Sequence, residues 1–146
     1  MPRFNEVHTD HFLCDRRNTI SLEENKKRYI AYNVAGKSVA QYHIDKNNEP
    51  PKKCDYAIYV DEDDRIIFIE LKGSDVLHAI KQIRQSINDK VILPRITCST
   101  LDARIIASKT PNPNFTSSAE VKLNQILKSY GGKNLKISTR YYKENI

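Results

Sequence analysis

The residues of this chain whose types and spacing could do chemistry are two carboxylates and a lysine. Glu70 and Lys72 end an apolar run, Ile66-Ile67-Phe68-Ile69, and Asp55 belongs to the preceding run. Because alternate residues of a strand share a face, Glu70 and Lys72 are expected side by side. Carboxylates bind hard divalent cations, and a neighbouring ammonium can stabilise or orient a nucleophile. The set therefore predicts magnesium-dependent phosphodiester hydrolysis.

A Glu-x-Lys triplet also ends strands by chance, where the pair is a solvated cap worth under about 1 kcal/mol. The surroundings of this triplet favour the chemical interpretation. Asp55 is expected on the neighbouring strand, Gly73 follows the lysine directly, and an amphipathic helical pattern comes next.

The segment Lys53-Cys54-Asp55-Tyr56, followed by Ile66-Ile67-Phe68-Ile69-Glu70-Leu71-Lys72-Gly73, resembles the PD-(D/E)xK nuclease superfamily. The resemblance extends over about residues 21–109 through the order of elements. It implies a hydrolase that uses Mg²⁺ or Mn²⁺, with Asp55 and Glu70 as metal ligands, the Leu71 carbonyl as a further ligand and Lys72 as the catalytic lysine. Cys54 stands in place of the proline in the superfamily's name, a departure common in this divergent group.

The same resemblance implies two further site residues. Members often carry an upstream acidic residue that joins the metal site, for which Glu24 is the first choice and Glu23 and Asp45 are alternatives. Many also have a glutamine on the helix after the motif lysine, here Gln82 in preference to Gln85. Ordinary solvation of a polar surface explains these side chains equally well.

The elements that must position these residues follow from hydrophobic periodicity. Ser21 to Glu24 is typical of a helix start or turn. Two β-hairpins are predicted, one from residues 28–34 and 38–45 and one from residues 53–60 and 65–72 around an acidic turn. The unbroken apolar run in the last of these predicts a central strand, covered on both faces.

The rest of the pattern alternates helices and strands. It predicts a helix over 74–89 capped by Ser74, a strand over 103–108, a helix begun by Ser117 or Ser118 and ended at Gly131-Gly132, and a strand over 135–141. Proline-containing loops are predicted at 46–51 and 110–115. In the second helix the residues expected to point inward are Val121, Leu123, Ile126 and Leu127. The predicted fold class is α/β: one domain over 1–146, with a core of about 21–141 and a restriction-endonuclease-like mixed sheet of about six strands flanked by helices.

Composition limits the classes of protein to which the chain could belong. It has 146 residues, of which 39% are hydrophobic and 29% charged, as in an ordinary globular domain. No apolar stretch approaches the roughly 18–20 residues of a spanning helix, and the N-terminus lacks a signal peptide's apolar core, so a cytoplasmic protein is expected. Cys14, Cys54 and Cys98 form no zinc-binding pair and are interpreted as reduced core thiols.

The net charge of +6 favours a polyanionic partner, and together with the motif it predicts nucleic acid, DNA rather than RNA. Four basic groups could contact phosphates if they converge: Lys26-Lys27-Arg28-Tyr29, Lys52-Lys53, Lys81 with Arg84, and Arg140-Tyr141-Tyr142-Lys143. A chain of this size is expected to act as a homodimer or as a subunit of a larger complex, and by analogy to serve restriction or antiviral defence. The alternative is a catalytically silent, nuclease-like subunit that binds nucleic acid or serves assembly.

Overall fold

The computed structural model of the chain describes residues 1–45, 50–73, 75–109 and 117–146, without the side chains of Lys72 and Gly73. The predicted cap Ser74 and the loop over 110–115 lie outside these ranges, as does most of the loop over 46–51. The helices are α1 (Phe4–Val7), α2 (Val76–Ile87), continued by a π-helical turn (Asn88–Ile92), and α3 (Ser118–Ser129). The strands are β1 (Leu13–Asp15), β2 (Thr19–Glu24), β3 (Lys27–Tyr32), β4 (Val39–His43), β5 (Tyr56–Val60), β6 (Arg65–Gly73), β7 (Thr100–Ala107), β8 (Lys136–Thr139) and β9 (Tyr141–Asn145).

The strands form two sheets, so the chain is of the mixed α/β class. Six strands make one sheet in the order β1-β4-β5-β6-β7-β8, antiparallel from β1 to β6 and parallel from β6 to β8. The other three make a second sheet in the order β2-β3-β9. The sequence predicted a mixed sheet of about six strands, but it assigned the run that forms β3 to this sheet, omitted β1 and did not predict the second sheet.

The six-stranded sheet is covered on both faces. On one face the side chains of Ile66 and Phe68 pack with Ile80 and Ile83 of α2 and with residues of α3. On the other face, Ile67, Ile69 and Leu71 pack against the three-stranded sheet. This is why β6 has the unbroken apolar run of a central strand, as predicted. No helix among the described residues is long and apolar enough to span a membrane.

The elements that carry the motif agree with the prediction. β5 and β6 form the predicted hairpin around the acidic turn, and α2 follows β6. Asp75 caps α2, because its side chain accepts a hydrogen bond from the His78 N–H. Ser117 caps α3 through the Glu120 N–H, and Gly131 has the expected left-handed φ of +79°.

The N-terminal prediction was wrong in two respects. Residues 21–24 end strand β2 rather than begin a helix, because Ile20 and Leu22 alternate with exposed Ser21 and Glu23 and bury one face. The first predicted hairpin does not form: β3 pairs with β2, whereas β4 pairs with β1 and β5. The chain instead crosses from one sheet to the other between β3 and β4, where the Asn33 side chain bonds to both the N–H and the C=O of Lys37.

The C-terminal prediction was also incomplete. The strand expected over 135–141 is two strands, β8 and β9, separated by Arg140 with a φ of +63°. The bend lets β8 join the six-stranded sheet and β9 the smaller one. In α3, Leu123 and Leu127 are buried as expected, but Val121 is exposed.

Candidate active site

The two predicted carboxylates lie at the same end of the β5–β6 hairpin. The strands pair Tyr56 with Ile69, and Asp55 and Glu70 are the residues directly beyond this pair. The Leu71 N–H donates to Asp55 Oδ2 over 2.9 Å, so the Asp55 carboxylate contacts the backbone of the motif itself. The structure thus brings Asp55, Glu70 and Leu71 together.

Helix α2 fixes the segment that leads to Asp55. The Cys54 N–H donates to Ser86 Oγ over 2.8 Å, and Ser86 Oγ donates in turn to the Gln82 carbonyl of the preceding helical turn. The Gln82 side-chain amide lies 3.5 Å from the Lys53 carbonyl. The predicted glutamine therefore lies beside the chain entering β5, where it touches the backbone two residues before Asp55.

The candidate site is shielded from solvent on the side that faces the core. Glu70 is only 2% exposed, and Asp55 is half-buried. Burial raises the pKa of the Cys54 thiol far above its usual range, and the nearby negative charges of Glu70 and Asp55 raise it further. Cys54 therefore stays protonated at neutral pH and supplies neither a thiolate ligand nor a nucleophile.

The pairing of β6 with β7 is irregular at the motif. Glu70 pairs with Ile105 and Gly73 with Ala107, so three steps along β6 match two along β7. Such bulges occur next to active sites, where they redirect a side chain. Lys72 lies inside this irregularity and its side chain is outside the described part of the structure. Its position on the face of Glu70 stays a prediction.

Glu24, expected as an additional metal ligand, lies at the same end of the molecule. Its Oε1 accepts a 2.8 Å hydrogen bond from the hydroxyl of Tyr56, the residue that follows Asp55. Burial raises the pKa of the Tyr56 hydroxyl above its usual range, and the negative charges of Glu24 and Asp55 raise it further. The role of Glu24 as a metal ligand stays a prediction.

The alternatives to Glu24 and Gln82 have contacts of their own. Glu23 forms an exposed ion pair with Arg28. Asp45 lines a cavity of about 260 Å³ together with His8, His43 and Lys53. Gln85 lies in a groove between α2 and α3.

The chemistry of the donor set fits a hard divalent cation. Mg²⁺ commonly takes one or two carboxylates and completes its shell with water and phosphate oxygens. Asp55 and Glu70 would provide the carboxylates and Leu71 a carbonyl oxygen. Within the described ranges, no cluster of three or more histidine, cysteine, aspartate or glutamate residues could hold a metal.

Sequence reasoning missed two groupings of charged residues. The Arg28 N–H donates to the Arg140 carbonyl over 2.9 Å, which joins two of the four predicted basic groups. Arg104 forms a buried ion pair with Glu144. The contact between Arg28 and Arg140 depends on the parallel pairing of β3 with β9, which has no local signal in the sequence. The buried ion pair of Arg104 did have a signal, because an arginine stands inside the apolar run of β7.

No protein-family model, curated protein or solved structure matches this chain significantly.

Proposed function

We propose that the chain is a metal-dependent nuclease with a restriction-endonuclease-like core, acting on DNA in preference to RNA. The observation that supports this most is the placement of Asp55 and Glu70 at one end of a strand pair, with the Leu71 N–H donating to Asp55 Oδ2. Glu70 is 2% exposed, and a divalent cation shared with Asp55 would be one of the groups that compensate its charge there.

The roles of the chain's own groups follow from these positions. Asp55 and Glu70 would hold Mg²⁺ or Mn²⁺, and the Leu71 carbonyl would add a neutral ligand. When bound, the metal acts as a Lewis acid that lowers the pKa of water and neutralises developing negative charge. Lys72 would orient the attacking water or a phosphate oxygen. Gln82 would support the Asp55 segment from α2.

The proposal includes the wider setting expected from the sequence. One chain carries one such site, so cutting both strands of a duplex would require a homodimer or a partner subunit. Restriction of foreign DNA in the cytoplasm is the biological role that we propose, by analogy alone.

A catalytically silent binding or assembly subunit is the second candidate. One observation favours it: the Asp55 carboxylate already accepts a backbone hydrogen bond, which alone gives this residue a structural role at the strand end. The two candidates differ in turnover and in metal binding.

The deciding experiment incubates the purified protein with supercoiled plasmid and Mn²⁺ or Mg²⁺, with and without chelator. Cleavage should require the metal and should be lost in Asp55→Asn and Glu70→Gln. Calorimetry should show Mn²⁺ binding to the wild type and not to Glu70→Gln. Glu6→Gln, which neutralises an exposed carboxylate of α1, is the matched control and should cleave normally.

Circular dichroism establishes that each variant is folded. Equal Mn²⁺ binding by the wild type and Glu70→Gln would refute the metal site. A wild type that binds DNA but leaves it uncut under all these conditions would favour the silent subunit.

A further inference from the structure

The three-stranded sheet has an outer face that no described element covers. Its strands show strict alternation of burial, so one set of side chains packs inward and the other points to solvent. The inward set includes Tyr29 and Tyr142, whose rings stack 6.2 Å apart. The outward set comprises Thr19, Ser21 and Glu23 of β2, Arg28, Ile30 and Tyr32 of β3, and Tyr141, Lys143 and Asn145 of β9. We call this set the outer face.

The register of the strands places cations and an aromatic ring next to each other at one end of the outer face. Arg28 is paired with Tyr141, and Ile30 with Lys143, so the three polar side chains are neighbours. Tyr141 is 41% exposed, and the Lys143 Nζ lies 4.9 Å from the centre of its ring. Arg140, also exposed, precedes them at the bend between β8 and β9. Glu23, which pairs with Arg28, is the only acidic residue of the outer face.

This end of the outer face adjoins the end of the six-stranded sheet that carries the motif. The Arg140 N–H donates to the Ala107 carbonyl, and Ala107 pairs with Gly73, directly after the motif lysine. The cations and Tyr141 therefore lie at the same end of the molecule as the candidate active site.

We propose that the outer face binds a single-stranded segment of the nucleic acid substrate, with Tyr141 stacking on an unpaired base and Arg28, Arg140 and Lys143 contacting phosphates. Exposed aromatic rings on a sheet, flanked by cations, are how proteins hold unpaired bases, because every base has a face that can stack. A duplex hides its base faces and could use only the cations. The inference rests on the proposed nuclease function and adds a preference for substrates with a single-stranded portion.

The test measures binding without cleavage, by fluorescence anisotropy in chelator, with a labelled single-stranded DNA, a single-stranded RNA and a blunt DNA duplex. The wild type should bind a single strand more tightly than the duplex. Tyr141→Ala should weaken single-strand binding at least about five-fold, the lower end of the effect of removing one stacking ring. Tyr141→Phe keeps the ring and should bind like the wild type. Duplex binding should change little in either variant.

A matched pair of charge variants tests the cations. Arg28→Ala with Lys143→Ala removes two charges from the outer face, and Lys122→Ala with Lys128→Ala removes two from the exposed side of α3. Only the first pair should weaken binding strongly. Equal effects of the two pairs, or equal binding by Tyr141→Ala and Tyr141→Phe, would overturn the proposal.

Cleavage measured in parallel separates this proposal from the function on which it rests. A wild type that cleaves DNA yet binds duplex and single strand equally well would overturn the outer-face proposal and leave the nuclease function standing. A protein that never cleaves, but whose single-strand binding depends on Tyr141 as described, would overturn the nuclease function and support the outer face. Higher affinity for the RNA than for the DNA strand would support the outer face with RNA as its ligand.

Discussion

Glu70 is the more deeply buried of the two carboxylates of the candidate site. A carboxylate with 2% exposure at the end of an apolar strand is uncommon, because an ionised group loses its hydration there. Asp55, by contrast, is half-buried and could serve as a simple backbone acceptor. The isosteric change Glu70→Gln removes the charge and keeps the shape of this buried side chain, so it is an informative test of the nuclease proposal.

Lys72→Ala should separate catalysis from binding. The substitution removes a positive charge close to where negative charge develops during hydrolysis, but both carboxylates remain to hold the metal. Removing one electrostatic donor of this kind typically costs roughly 10²–10³ in rate. We expect a loss of that size in plasmid cleavage, with Mn²⁺ affinity and DNA affinity nearly unchanged.

Lys122→Ala, which removes an exposed cation from α3, is the control for the lost charge and should cleave at the wild-type rate. If Lys72→Ala also cleaved at that rate, Lys72 would be an ordinary surface cation, and the proposed chemistry would lose its lysine.

At the scale of elements, a buried charge network joins the two sheets. Glu144 of β9 accepts a 2.6 Å hydrogen bond from the Tyr29 hydroxyl and pairs with Arg104 of β7 at 2.9 Å. Arg65 of β6 lies 3.9 Å from the same carboxylate and 2.8 Å from Asp102. The network therefore fixes the smaller sheet, and with it the outer face, against the strands that carry the motif.

Two Arg–Glu pairs of equal length show what burial does to this contact. Arg104–Glu144 and Arg28–Glu23 are both 2.9 Å long, but the side chains of the first are 6% and 13% exposed and those of the second 47% and 51%. Glu144→Ala should lower the free energy of unfolding by about 3–5 kcal/mol, because it leaves a buried guanidinium uncompensated. Glu23→Ala should cost under about 1 kcal/mol. Urea unfolding followed by circular dichroism measures both, and equal costs would show that the buried network does not hold the sheets together.

The elements that could be predicted from sequence are those with a local signal. The apolar run from Ile66 to Ile69 predicted β6, because a strand buried on both faces is apolar throughout. The helical spacing of Ile80, Ile83 and Ile87 predicted α2, because a helix buried along one stripe repeats its apolar residues with a fixed period. Both predictions come close to the observed bounds. The acidic turn between two apolar runs gave the β5–β6 hairpin. That hairpin was sufficient to expect Asp55 close to the strand that carries Glu70.

What could not be predicted depends on which strand pairs with which. The run from Arg28 was recognised as a strand, but its partner is β2 on one side and β9, more than a hundred residues later, on the other. No periodicity within β3 encodes a partner at that distance. This pairing produces the second sheet, the hydrogen bond between Tyr56 and Glu24, and the pairing of Arg28 with Tyr141. None of the three could therefore be predicted from the sequence.

Across the whole molecule, opposite charges are concentrated at opposite ends of the β5–β6 hairpin. The turn Asp61-Glu62-Asp63-Asp64 lies at the end away from Asp55 and Glu70. Its carboxylates form ion pairs with Arg3, Arg16 and Lys37. This end is therefore largely neutralised. Glu23 neutralises Arg28 in the same way, so the positive field of the molecule should be stronger near Arg140 and Lys143. The net charge of +6 alone does not reveal this separation.

The salt dependence of DNA binding should report where the cations act rather than how many there are. If several cations contact phosphates, affinity should fall about ten-fold or more between 50 and 200 mM salt, because bound counterions are released on binding. Lys143→Gln should make the plot of log affinity against log salt concentration shallower by about 0.7 for a single strand, the value for one phosphate contact. Lys37→Gln lowers the net charge by the same amount, but the Lys37 ammonium is 2.7 Å from Asp63 at the opposite end, so the slope should stay unchanged.

Anisotropy titrations at four or five salt concentrations measure both slopes. Equal slopes for the two variants would mean that net charge alone drives association, and a flat response in the wild type would remove nucleic acid from the partners of this protein.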